Sequence, residues 1–249
     1  MSLKRYFVKY TFEIIVIVMG ISISFFIEDV RQKNELKNLT KDLQNNLLSE
    51  IYQIENYLKT RLEGFDNDLK IVDFLKTTDK DIRFFFDSEK ENSLNIAAAI
   101  FNYRGFSPPV SFYNSLVNDG KIRYLESSEI KTRLDELHTS ITYFIKANME
   151  DEITVLNKIV SHFQNNYPRI YIELIQSIST NSYNNSGLIN NTQKLKFLKK
   201  IKLISSNDQK FKSLLYEKGL AMNAKLDGLK IYIDNINFIK NILQEKQKL

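Results

Sequence analysis

The chain has 249 residues, 43% of them hydrophobic, but only seven glycines and three prolines, too few to punctuate a many-stranded sheet, so long helices are favoured. It has no cysteine, which excludes a disulfide framework, thiol catalysis and thiolate metal sites. The formal net charge of +5 is mixed with acid along most of the chain and accompanies no recognisable binding module, so a nucleic-acid partner is not expected.

The first element is the run TFEIIVIVMGISISFFIEDV, residues 11–30. A secretory signal peptide ends in a small-residue cleavage site. Here Phe25, Phe26, Ile27, Glu28 and Asp29 close the run, so it reads as an uncleaved signal anchor. Its strictly apolar part, residues 14–27, makes about 21 Å of helix, short of the roughly 30 Å hydrocarbon core. Tyr10, Thr11 and Phe12 extend it, and Lys9 and Glu13 can reach toward the headgroups, which brings it to spanning length. Lys4, Arg5 and Lys9 precede the span; Glu28 and Asp29 follow it, with Arg31, Lys33, Lys37 and Lys41 soon after. A short basic tail is hard to translocate, whereas a long domain crosses largely regardless of charge. Residues 1–10 are therefore expected as a cytoplasmic tail, 11–30 as a transmembrane helix and 31–249 as a helical extracytoplasmic domain. The expected location is the bacterial inner membrane, single-pass, with the C-terminal domain periplasmic.

At helical spacing Glu13, Ile17, Gly20, Ser24 and Glu28 share one face of the span. Gly20 and Ser24 form a small-xxx-small pair that lets two membrane helices approach closely. Glu13 has two readings. It is the polar element of a contact between chains, or it is a carboxylate solvated at interface depth, one turn from Lys9.

From Leu36 the apolar positions Leu39, Leu43, Leu47, Ile51, Ile54, Leu58, Leu62, Phe65, Leu69 and Val72 recur at close to 3.6 residues. The anchor thus continues as one helix to residue 76, with a break at Gly64 as the alternative. The cluster Phe84, Phe85 and Phe86 is expected to tuck a loop onto the bundle. A short helix follows at 93–103 with Ser93 as its N-cap. In FSPPVSFYNSLVNDGKIRYLESSEIKTRLDELH, residues 106–138, Pro108 and Pro109 precede a helix that Asp119 and Gly120 end. Ser127 or Ser128 caps the next, which carries Ile130, Leu134, Leu137, Ile141, Ile145, Met149, Ile153, Leu156, Val160 and Phe163 and stops before Pro168. A shorter helix is expected over 169–179, an Asn/Ser-rich loop over 180–192 and a basic helix over 193–204. Asn207 or Asp208 opens the last long helix, with Phe211, Leu215, Met222, Leu226, Leu229, Ile233, Ile236 and Leu243 inward. The architecture expected is all-α, an N-terminal transmembrane helix continuing into an antiparallel bundle of long, coiled-coil-like helices.

Chemistry is sparse. His138 and His162 have no ligand neighbour at i+4 and read as surface histidines. There is no phosphate loop, nucleophile elbow or Cys/His set, so no catalytic residue, metal or cofactor is assigned and the chain is not expected to be an enzyme. Glu150, Asp151 and Glu152 read as a solvated acidic face. Lys194, Lys196, Lys199, Lys200 and Lys202 form a basic surface suited to anionic headgroups or to a partner's acidic face.

Two stretches, KYTFEIIVIVMGISISFFIEDVRQ and residues 106–138 quoted above, resemble a family of uncharacterised single-span bacterial membrane proteins. In that family the span begins with an acidic residue followed by an aliphatic run, a Gly-Ile step and a polar exit. The resemblance implies a one-span anchor with a helical extracytoplasmic domain and singles out Glu13, Gly20, Gly120 and Lys121. The function expected is a membrane-anchored helical binding or structural protein, an accessory subunit or scaffold of an envelope membrane assembly. Its partner would be another membrane or envelope protein, a second copy, or both. The other class is an oligomerising membrane sensor or effector that acts through its span.

Overall fold

The computed structural model describes residues 3–77, 96–125, 127–183 and 191–246, with side chains at 11–77, 96–125, 127–176 and 196–245. The expected Phe84–Phe86 loop cluster and the Ser93 cap lie outside the described residues. Within them the chain is all-α. Helix α1 is Leu3–Lys76, α2 Ile96–Phe101 and α3 Ser111–Asn118, followed by a 3-10 turn at Lys121–Tyr124. Helix α4, Ser128–Glu136, passes through a π turn at Leu137–Ile141 into α5, Thr142–Asn166. Helices α6 (Pro168–Tyr183), α7 (Asn191–Asn207) and α8 (Gln209–Lys246) complete the chain.

Several boundaries follow local chemistry. Gly120 sits at φ +64° and its N–H donates to Val117 O, the left-handed stop expected of a C-terminal glycine. Ser127 Oγ accepts the Ile130 N–H at 3.3 Å, and Asp208 Oδ1 accepts the Phe211 N–H at 2.9 Å, so both caps fall where the sequence places them. Helices α6 and α7 run to Tyr183 and from Asn191, which moves helix into both ends of the expected 180–192 loop. Helix α1 does not break at Gly64. The glycine is there for space, because a Cβ would lie 2.8 Å from the Arg104 guanidinium.

The chain forms two compact units: Met1–Glu50 with Ser111–Lys131, and Ile51–Val110 with Thr132–Leu249. In the first, Glu50 reaches the start of α3 and accepts the N–H groups of Phe112 and Tyr113 at 2.5 and 2.9 Å. A carboxylate there satisfies orphan donors and complements the helix dipole. Thr40 Oγ1 donates to Tyr124 O, and Leu43, Leu47, Tyr113 and Leu116 are buried.

In the second unit, ascending positions on α4–α5 meet descending positions on α8 and its N-cap: Arg133 with Asn235, Lys158 with Glu217, His162 with Asp208. The 51–76 part of α1 is likewise antiparallel to α8, with Tyr52 beside Gln244 and Glu55 paired with Lys240. The core gathers Val72, Phe74, Ile100, Phe101, Ile159, Phe163, Phe211 and Leu215. Phe163 stacks edge-on with Phe101 and Phe211 at 4.9 and 4.7 Å between centroids. At Gly228 a Cβ would meet Ile145 and Phe144 at 2.8 and 2.9 Å, so this glycine sets how closely α8 approaches α5.

Candidate functional site

The second unit encloses a polar centre. Lys218 and Lys225 on α8 are 0% and 1% exposed, and Glu152 on α5 is 2% exposed. Glu152 pairs with Lys225 and stands 3.9 Å from Lys218. This corrects the reading of residues 150–152 as a wholly solvated acidic face. Helix α5 turns Glu152 inward on the stripe that carries Leu156, Ile159 and Phe163, while Glu150 and Asp151 stay outside. Lys218 Nζ also donates to Ile100 O at 3.1 Å and Asn102 O at 2.8 Å, so a buried ammonium closes the C-terminal end of α2. Lys225 Nζ lies over the Phe65 ring at 4.3 Å. Burial pulls the Lys218 pKa down to about 8, against the opposing pull of the Glu152 and Asp68 carboxylates. Burial lowers the Lys225 pKa as well, and Glu152 again opposes that shift without reversing it.

Beside this centre Asp68, 6% exposed, receives Arg104 as a fork, Nε at 2.6 Å and Nη2 at 3.0 Å. The Asp68 hydrogen bond holds the Arg104 guanidinium still more firmly protonated than usual. A cleft of about 170 Å³ opens here, lined by Arg61, Asp68, Asn102, Tyr103, Arg104 and Gly105 together with Ala98. Tyr57 holds its rim: the Ser107 N–H donates to Tyr57 Oη at 2.7 Å, and Arg61 lies over the Tyr57 ring at 5.4 Å.

A second polar knot clasps the junction of α5 and α8. Asp208 Oδ2 lies 2.6 Å from His162 Nε2 and accepts the Tyr167 hydroxyl at 2.8 Å. Neither histidine is the surface residue expected. His162 is largely buried against Asp208, and His138 is half-buried in the π turn, where burial lowers its pKa to about 4.

The residues singled out from the sequence fall elsewhere. Glu13, Ile17, Gly20 and Ser24 are all exposed on α1, and nothing lies within 4 Å of a Cβ built at Gly20. Ser24 Oγ donates to Gly20 O at 2.9 Å, and Ser22 Oγ to Val18 O at 2.8 Å, so these hydroxyls are satisfied within the helix. An 18-residue window of α1 is long and apolar enough to cross a membrane, and none of it is buried.

The basic surface is only partly a surface. Lys196 and Lys199 are exposed, and the Lys194 side chain lies outside the described residues. Lys200 is half-buried and pairs with Glu173 at 2.9 Å. Lys202 donates to the carbonyls of Phe74 and Thr77, and Ser205 Oγ to Leu75 O at 2.8 Å. Lys202 thus closes the C-terminus of α1, where a cation complements the free carbonyls. Lys218 and Lys225 carried a readable sign. Phe211, Leu215, Lys218, Met222, Lys225, Leu229, Tyr232 and Ile236 alternate steps of four and three, so both lysines occupy core positions of a heptad stripe.

No family model, curated protein or solved structure matches the chain.

Proposed function

We propose that the chain is a membrane-anchored helical binding or structural protein of the bacterial inner membrane, an accessory subunit or scaffold of an envelope assembly, with its helical domain on the periplasmic side. The observation that carries this reading is a contrast within one helix. Residues 14–19 of α1 are apolar and 42–61% exposed, while Leu47, Ile51, Ile54 and Leu58 of the same helix are 1–2% exposed. Water does not favour so large a bare apolar stretch, and a bilayer supplies its missing solvent. The chemistry found elsewhere, helix caps and buried ion pairs, holds helices in place within each unit, which suits presenting a surface. Native purification of the full chain from membranes, with chemical crosslinking before solubilisation, tests the reading. Stoichiometric recovery of an envelope protein or a second copy is expected. Recovery of the chain in the soluble fraction, or from membranes as a monomer without a crosslinked partner, would overturn it.

A further inference from the structure

The cleft beside Asp68 stands over an unbalanced set of charges. Among the described residues, four cations, Arg61, Arg104, Lys218 and Lys225, gather around two carboxylates, Asp68 and Glu152. Arg104 occupies both oxygens of Asp68, so the carboxylate on the cleft wall is already matched. Glu152 serves two buried ammonium groups. Lys218 sits directly behind the wall, since it holds the carbonyl of Asn102, which lines the cleft. The excess among the described residues is therefore positive, and part of it lies in low dielectric, where it is weakly screened.

The donors on the wall are unspent. Arg104 uses Nε and one Nη2 hydrogen on Asp68, and its remaining N–H groups have no acceptor among the described residues. Arg61 rests on the Tyr57 ring, and no carboxylate pairs with it among the described residues. The bare backbone of Gly64 leaves room for Arg104 at this place, 2.8 Å from where a Cβ would stand. A cleft of about 170 Å³ is smaller than the ~300 Å³ of sites for drug-sized ligands, so it suits one compact group.

The geometry points to a binding site for a single phosphate-sized oxyanion, as free phosphate or as a phosphomonoester headgroup, held between Arg61 and Arg104. Planar guanidinium groups match tetrahedral oxyanions through paired N–H donors. The site is separate from the basic stretch of α7.

The test uses the full chain in detergent micelles and reads thermal unfolding and isothermal titration with inorganic phosphate, against sodium chloride at matched ionic strength. Phosphate should bind saturably and raise the unfolding temperature, and chloride should not. Arg61→Gln should weaken phosphate binding about tenfold or more, the loss expected for one charged hydrogen-bonding group, and Arg61→Lys should restore part of it. Arg61 is outside the core, so its variants keep the fold. A parallel arm places the chain in phosphatidylcholine nanodiscs with and without phosphatidic acid. An Arg61-dependent rise in unfolding temperature with phosphatidic acid, in the absence of free-phosphate binding, would identify the source as a lipid headgroup. Equal effects of phosphate and chloride, or phosphate and phosphatidic acid effects that Arg61→Gln leaves unchanged, would overturn the site.

Discussion

Lys218 and Lys225 show how much a single side chain depends on its surroundings. Both occupy core positions of α8, and burial disfavours their charged forms. For Lys218 the folded pKa of about 8 lies below the ordinary 10.5. Between those values the unfolded chain binds the extra proton, so this residue makes stability rise with pH across roughly 8 to 10.5, by about 3 kcal/mol at most. Denaturant unfolding of the full chain at pH 8, 9 and 10 should show that rise, and Lys218→Met should lose its share. Lys225 tests the ion pair. Lys225→Met leaves Glu152 buried with its nearer cation gone and should cost about 3–5 kcal/mol, whereas joint replacement of Lys225 and Glu152 by Met should cost much less. Equal losses in the two proteins would mean that packing, not charge, dominates there.

At the scale of the element, helix ends are held by side chains from elsewhere in the chain. Glu50 caps the start of α3, Lys202 closes α1, and Lys218 closes α2. Glu50→Gln should destabilise the first unit by about 1–2 kcal/mol, because the amide loses a charge-assisted bond and its interaction with the dipole. Chemical denaturation of the full chain, followed by tyrosine fluorescence, measures this. Helix–helix spacing rests on a different device. Gly228→Val drives a side chain into Ile145 and Phe144 and should cost about 1–3 kcal/mol by overpacking. The exposed apolar end of α1 has open space at Gly20 instead. There Gly20→Ile should leave stability unchanged but reduce crosslinked dimer in membranes, if close backbone approach brings two spans together. Unchanged crosslinking in this variant would make the span a passive anchor.

For the whole molecule the proposed membrane anchoring makes a prediction about orientation. The basic tail at Lys4, Arg5 and Lys9 favours retention of the N-terminus in the cytoplasm. A reporter active only in the periplasm, fused after Leu249, should therefore be active. A cytoplasm-only reporter active at that point would reverse the orientation and move the partner search to the cytosol.

The sequence by itself determined the class and most of the helices. The 3.6-residue recurrence of apolar side chains, the scarcity of glycine and proline, and caps such as Ser127, Asp208 and Gly120 are local properties, and each acts within a turn or two of the chain. It also marked the apolar stretch of α1, because length and hydropathy need no tertiary partner. Only the tertiary structure decided the fate of the charged residues. Glu152 and Lys225 are 73 residues apart, Asp68 and Arg104 are 36 apart, and Lys202 reaches carbonyls more than 120 residues away. A charge enters the core only where an opposite charge or a free helix end arrives to meet it, and the pattern along one helix does not specify what its neighbour brings. Gly64 illustrates the same limit: along the chain it suggests a break in α1, and in the fold it makes room for Arg104.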